Sequence, residues 1–188
     1  IVKLLESNYE VIAIDNFSNS SPLVSERIKR ITGKTFELIE GDIRDRYSLR
    51  EIFKNNVICS VMHFAGLKAV GESYIKPLHY YDNNVNASLI LFDEMSNNNV
   101  KNIVFSSSAT VYQENHDCKF CENNKLEPKS VYGKTKLIVE NILSDIKKSD
   151  PEWRIANLRY FNPIGAHCSG LIGENPKDHP NNLLPYIS

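Results

Sequence analysis

No stretch of this sequence concentrates charge of one sign: Lys and Arg number 22, Asp and Glu 23, and the net charge is -1. Without a basic stripe there is no electrostatic argument for nucleic acid, and without an acidic tail none for a basic partner. Long apolar runs are missing too. The longest nearly apolar stretch, Val57 to Leu67, is interrupted by His63 and is too short to cross a bilayer. No internal repeat, low-complexity tract or secretory leader is visible. The chain does not begin with methionine, so the expectation is a natural N-terminus further upstream. The compartment this implies is the cytosol.

Cysteine is sparse, at positions 59, 118, 121 and 168. Cys59 lies in an apolar strand pattern and reads as a small buried hydrophobe. Cys118-Lys119-Phe120-Cys121, with His116 nearby, has the spacing of half a zinc site. No second Cys/His pair follows at useful spacing, so no metal is expected. Three Asn-x-Ser sequons, at Asn16, Asn19 and Asn86, carry little weight without a secretory signal.

What is present is an ordinary globular balance, 41% hydrophobic and 24% charged over 188 residues. Strand and helix patterns alternate along it. Helical periodicity covers Ile1 to Ser7, Pro22 to Ile31, Asp45 to Asn55, Pro77 to Asn97 and Val131 to Lys148. Between these lie short apolar, β-branched runs: Tyr9 to Asp15, Thr35 to Glu40, Val57 to Phe64, Val100 to Ser106 and Ile155 to Tyr160. Near-continuous apolar strands separated by helices predict an α/β fold, a parallel sheet with helices on both faces. From Asn162 onward the texture changes to Pro, Gly, Asn and His. A first domain over 1–165 and the start of a second over 166–188 are therefore expected.

Ligands of such sheets bind beyond the carboxyl ends of the strands. Polar residues fall there: Asp15, Asp42, Ala65-Gly66, Ser106 to Ser108 and Asn162. In a dinucleotide fold the acid ending the second strand hydrogen-bonds the adenosine ribose, and Asp15 ends a strand that follows the tail of a helix. An acid there favours NAD over NADP. A strand-end acid that merely caps a turn is the plainer alternative. The glycine-rich phosphate turn would fall before Ile1, so the chain reads as a fragment lacking its first strand.

Tyr132-Gly133-Lys134-Thr135-Lys136 opens a helix downstream of the serine-rich strand end. Tyr132 and Lys136 stand one turn apart on one face, so phenol and ammonium can share a site. A nearby cation favours the phenolate, which starts from a pKa near ~10. That suits a tyrosine asked to remove a proton from a sugar hydroxyl near neutral pH. A surface pair worth ~0.2–0.5 kcal/mol is the bland reading of the same spacing.

Several longer motifs agree with the catalytic reading. They are Gly41-Asp42-Ile43-Arg44-Asp45, the block Phe64 to Ser73, Tyr80-Tyr81-Asp82-Asn83-Asn84-Val85 and Phe105 to Tyr112. Further on come Arg159 to Pro163 with Gly165-Ala166-His167, and Pro180 to Leu183. On these the chain resembles, from end to end, the extended short-chain dehydrogenase/reductase superfamily and within it the nucleotide-sugar 4-epimerases. The resemblance implies a doubly wound, Rossmann-like sheet and the start of a smaller substrate domain. It implies NAD as cofactor, with Asp15, Asn16 and Ser20 at the adenosine ribose and nearby phosphate. Asp42 and Ile43 would flank the adenine, and Phe64, Ala65, Gly66, Lys68 and Asn83 would line the central path. Lys136 would bind the nicotinamide ribose and tune Tyr132, and Phe161 would abut the nicotinamide. Ser108, Tyr132, Asn162, Asn182 and Leu183 would meet a UDP-sugar.

The implied reaction interconverts UDP-galactose and UDP-glucose, as in galactose metabolism. Tyr132 takes the proton of the carbon-4 hydroxyl while hydride passes to NAD, and Ser108 donates to the same oxygen. The 4-keto sugar turns over and is reduced on its other face. Sugar-nucleotide 4,6-dehydratases place an acid pair after the threonine of the serine strand. Here Thr110 is followed by Val111-Tyr112, and Glu114 is the nearest acid. A dinucleotide-binding regulator without turnover is the other class, and the Ser108, Tyr132, Lys136 set argues against it. Departures from the family pattern are Gln113, Val131 and the stretch Glu114 to Lys129. His63 reads as a core histidine, His167 as a residue ordering its loop, and Ser106 and Ser107 as strand-ending residues. The two long helices resemble the pair through which the family forms homodimers.

Overall fold

The computed structural model describes residues 1–114 and 119–174. These form two compact units, Ile1–Asp42 with the chain from Asn162 on, and Ile43–Phe161. Cys118 and His116 of the half zinc site, and the expected substrate contacts Asn182 and Leu183, lie outside the described residues.

In the first unit, α1 (Val2–Glu6) leads to β1 (Ile12–Asp15), α2 (Leu23–Thr32) and β2 (Glu37–Glu40). Strands β1 and β2 are parallel, with Ile12 opposite Glu37 and Asp15 opposite Glu40. Val2, Leu5 and Ile28 are buried together, backed by Val11, Val24, Ile31, Phe36 and Ile172. Helix α2 stops at Gly33, whose φ of 69° is left-handed and whose N–H bonds the Lys29 carbonyl at 2.8 Å.

The second unit opens with α3 (Arg46–Asn55), capped by Asp45, whose carboxylate accepts from the Tyr47 and Ser48 amides. Then come β3 (Val61–His63), α4 (Val70–Ile75) and α5 (Pro77–Tyr80). A π-helical segment, Tyr81–Asn86, joins α5 to α6 (Ala87–Asn97). Strand β4 (Asn102–Ser108), a single 3₁₀ turn at Ala109–Val111, α7 (Val131–Ser149) and β5 (Arg154–Tyr160) complete it. The parallel order is β3-β4-β5, with His63 level with Phe105 and Ser108 level with Tyr160. The internal orders β2-β1 and β3-β4-β5 are what the doubly wound order 3-2-1-4-5-6 leaves when its strand 1 is omitted.

Two expectations change. The helix over Pro77 to Asn97 is broken by the π-helical segment, in which Asn84 is buried. The third strand is only Val61–His63, since just those residues pair with β4. An apolar run without a ladder partner does not become a strand, so Val57 is exposed and Cys59 is exposed rather than buried. Strand β4 alternates over most of its length, with Ile103, Phe105 and Ser107 buried and Asn102, Val104 and Ser106 half-buried, and ends on Ser108, also buried. Its buried face meets α7, whose inward stripe is Tyr132, Thr135, Lys136, Val139, Glu140 and Leu143. The spacing is that of one helix face, but four of these six side chains are polar. The polar ones crowd the N-terminal half of the helix, on the side that meets β4, where Lys136 lies over the Phe105 ring. Each large apolar side chain buried in this way contributes about 1.5–3 kcal/mol. No described helix is long and apolar enough to cross a membrane.

Candidate active site

Helix α7 starts where the site needs it because Ser130 caps it, accepting from the Gly133 amide at 3.0 Å. Gly133 permits a close approach. A Cβ there would stand 2.7 Å from the Thr110 carbonyl and 2.9 Å from Pro128 Cβ. The glycine inside the Tyr-x-x-x-Lys motif therefore lets the first turn of α7 lie against the segment that follows β4.

Tyr132 is buried, and Ser108 is the side chain that acts on its phenol. What Ser108 can offer follows from its other contacts. Its Oγ accepts from the Thr110 amide at 3.2 Å and the Thr110 hydroxyl at 3.0 Å. A hydroxyl has two acceptor lone pairs and one proton. With both lone pairs engaged, its proton is what Ser108 has left to offer the Tyr132 oxygen. Burial pushes the Tyr132 phenol above its ordinary pKa, and the Ser108 hydrogen bond pulls it back down.

Lys136 lies one turn further along, nearly fully buried. Its Nζ donates to the Ser106 carbonyl at 2.9 Å and sits 5.0 Å from the Phe105 ring centre and 5.8 Å from that of Tyr132. Desolvation lowers its pKa to about 8. The spacing argument is right that the two side chains share a site. Ser108 lowers the Tyr132 pKa, and the Lys136 ammonium donates to the Ser106 carbonyl.

Gly66, with φ of 154°, passes beside this cation; a Cβ on it would stand 3.2 Å from Asn84 Oδ1 and 3.5 Å from Lys136 Nζ. Asn84 fixes that loop. It accepts from the Leu67 amide at 2.8 Å and donates to the Leu67 carbonyl at 3.0 Å and to Thr135 Oγ1 at 3.1 Å. Asn83, singled out from the sequence, is half-buried beside it in the π-helical segment. Tyr80, also buried, donates to the Ala69 carbonyl at 2.8 Å and ties down the other end of the loop. Phe64, Ala65 and Lys68 lie on that loop, all three exposed, and Phe161 is exposed just after β5.

His63 is a core residue, as its strand setting suggests. Its Nε2 lies 2.9 Å from Ser88 Oγ between the rings of Phe92 and Phe105. Desolvation, helped by the Lys136 charge, lowers its pKa to about 3, so it is neutral and unsuited to act as a base near pH 7. His167 bonds Ser169 at 2.8 Å within its own loop. Ser107 does more than end a strand: it is buried and donates to Glu140.

The first unit holds a second polar cluster. Asp15 Oδ1 accepts from the Phe17 amide and from Ser20 Oγ, both at 2.8 Å. Asn16 donates to Asp42 at 3.0 Å. Phe17 adopts φ of 51°, a left-handed conformation that costs a bulky residue on the order of 1–3 kcal/mol. Asp15, Asn16 and Ser20, close in sequence, thus meet the distant Asp42 at the carboxyl ends of β1 and β2. Ile43 follows Asp42, half-buried.

Sequence reading missed Thr110, Asn84, Glu140 and Arg159. Glu140 had a signal, since it extends the Tyr132, Lys136 series by another four residues; Arg159 is placed by the β4–β5 register, opposite Ser107, which the structure shows.

A parallel sheet with a serine at a strand end and a Tyr-x-x-x-Lys helix against it, together with a second parallel sheet that has an acid at a strand end, defines a dinucleotide-dependent class. The chain belongs to the NAD dependent epimerase/dehydratase family, whose pattern it matches over residues 1–188. It is 55% identical to the UDP-glucose 4-epimerase of Neisseria meningitidis serogroup A, over all of this chain and 56% of that protein. To the UDP-glucose 4-epimerase of Dictyostelium discoideum it is 52% identical, over 100% of this chain and 55% of that one. The crystal structure of UDP-glucose 4-epimerase from Bifidobacterium longum, in complex with NAD+ and UDP, matches with a TM-score of 0.96 and 49% identity. That match covers 99% of this chain and 56% of the other. The chain thus spans about half the length of these relatives.

Proposed function

We propose that the full-length protein carrying this chain interconverts UDP-galactose and UDP-glucose in the cytosol, in galactose metabolism, with bound NAD. The observation that carries the reading is the placing of Ser108, at the carboxyl end of β4, where it acts on the buried Tyr132 phenol, with Lys136 buried one turn along α7. The relatives of known structure that bind NAD and UDP or a UDP-sugar add support. So does the absence of an acid directly after Thr110, where water elimination would need one.

The residues present fit a dinucleotide. Asp15, poised by Phe17 and Ser20, accepts from the adenosine ribose hydroxyls, with Asn16 and Ser20 at the nearby phosphate. Asp42 and Ile43 flank the adenine. Gly66 leaves the space that a Cβ would fill beside Lys136, and Phe64, Ala65, Lys68 and Asn83 line the path there. Lys136 would bind the nicotinamide ribose, and Phe161 would abut the nicotinamide. When bound, NAD supplies the reversible hydride acceptor for carbon 4.

The chain supplies the proton chemistry. Tyr132, as phenolate, takes the proton from the carbon-4 hydroxyl, and Ser108 donates to the same oxygen and relays it. The 4-keto sugar then presents its other face, and Tyr132 and Ser108 return the proton to the oxygen. Asn162, Asn182 and Leu183 hold the nucleotide sugar. Residues 1–165 make up the cofactor domain, 166–188 begin the substrate domain, and the helices over 77–97 and 131–148 pair in a homodimer. The partners are UDP-sugars rather than nucleic acid.

The full-length protein, given UDP-galactose, forms UDP-glucose with no accumulation of reduced cofactor. The 188-residue chain by itself binds NAD poorly and turns over none. Net formation of NADH by the full-length protein contradicts the reading. So does turnover by the isolated chain, which would mean that the site is differently built.

A further inference from the structure

Beneath the catalytic hydroxyls lies a buried ion pair that the chemistry above does not use. Glu140, 5% exposed, receives Arg159 through Nη2 at 2.7 Å and Nε at 3.1 Å, one bond to each carboxylate oxygen. The same carboxylate accepts from Ser107 Oγ. The remaining arm of the guanidinium, Nη1, donates to the Tyr112 hydroxyl at 3.1 Å and the Glu122 carbonyl at 3.3 Å. The guanidinium also lies 5.0 Å from the Tyr112 ring centre. Tyr112 stacks on Phe120 at 5.2 Å, and Phe120 packs on Phe161 at 5.8 Å.

An ion pair taken out of water is a poor way to gain stability, because desolvation offsets most of the attraction. What it does provide is geometry. A bidentate carboxylate–guanidinium pair fixes both partners in angle as well as distance. Its three anchors are the elements that carry the working groups. Glu140 is two turns along α7 from Tyr132, Ser107 precedes Ser108 on β4, and Arg159 is two residues before Phe161.

We propose that Glu140 and Arg159 are positioning residues for the epimerase reaction. They lock the end of β4 to α7 so that Ser108 stays on the Tyr132 oxygen, and they hold the Tyr112–Phe120 wall against Phe161. This deepens the functional reading and rests on it.

The test is Glu140→Gln in the full-length protein, with Arg159→Lys, which keeps the charge and loses the fork. Loosening the contact by a fraction of an ångström lowers kcat by roughly ten- to a hundredfold, with KM for UDP-galactose little changed. The rising limb of the pH–rate profile moves to higher pH, because the phenol has lost part of the Ser108 interaction that lowers its pKa. Tyr132 ionisation, followed as the ultraviolet difference from the Tyr132→Phe protein, shifts the same way and needs no turnover. If the unsubstituted protein fails to convert UDP-galactose, the functional reading falls, while the ultraviolet titration still decides the role of the pair. Folded variants with unchanged kcat and unchanged phenol titration overturn the proposal. So does a loss confined to the yield of folded protein, with wild-type turnover per folded molecule. If Glu140→Gln does not fold, Arg159→Lys decides by the same readings.

Discussion

Tyr132→Phe in the full-length protein lowers turnover of UDP-galactose by roughly a thousandfold, within the range for loss of a general base. Affinity for UDP and NAD changes little, because the ring still fills its buried place and only the oxygen is gone. The pH profile separates the base from a mere hydrogen-bond donor. Burial raises the Tyr132 pKa and Ser108 lowers it, so the wild-type rate climbs with pH as the phenolate fraction grows. The residual rate of the variant does not climb. Steady-state kinetics across pH checks both points; a variant within about tenfold of wild type, or one with the same pH limb, means the base lies elsewhere.

Lys136→Met has the second largest effect, and activity and stability respond differently. Removing a buried cation aimed at the reacting groups costs on the order of 10²–10³ in kcat. Stability obeys linkage. The Lys136 pKa falls from its ordinary 10.5 to about 8 in the fold, so the folded chain disfavours the protonated form. That penalty, about 3 kcal/mol, is complete below pH 8. It is relieved as pH rises towards the unfolded pKa, because the native state sheds its proton first. Losing the donor to the Ser106 carbonyl costs about 1–3 kcal/mol in return. The expected result is a protein of much lower activity and nearly unchanged stability at pH 7. Denaturant unfolding of the ligand-free protein should show wild-type stability rising between pH 8 and 10 and no such rise in the variant. An active Lys136→Met protein contradicts this account of the site.

Most of the fold was legible in the sequence, for local reasons. Short β-branched runs and 3.6-residue periodicity placed every long element within a few residues, and capping at Asp45 and Ser130 agrees with the helix starts. What was illegible depends on contacts distant in sequence. The π-helical segment is set by Asn84 reaching back to Leu67 and forward to Thr135, and no helix propensity reports that. Val57 to Ser60 has strand composition but no ladder partner, and composition cannot say which runs will be paired.

The same division holds in the site. Spacing along one helix put Tyr132 and Lys136 together, and a strand end put Ser108 near them. That Lys136 spends its proton on the Ser106 carbonyl, and that Thr110 orients the Ser108 hydroxyl, follows from β4 and α7 meeting in space. Asp15, Asn16, Ser20 and Asp42 were each legible as strand-end polar residues. Their mutual hydrogen bonds were not, because these depend on the parallel register of β1 and β2.

The central claim is that carbon 4 is oxidised and reduced within one site while Tyr132 and Ser108 handle the proton. Incubating the full-length protein with UDP-galactose deuterated at carbon 4 tests it most directly. Deuterium retained at carbon 4 of the UDP-glucose formed, with none lost to solvent, is the predicted result. Washout of that label into water would mean direct proton exchange at carbon, and would contradict the account.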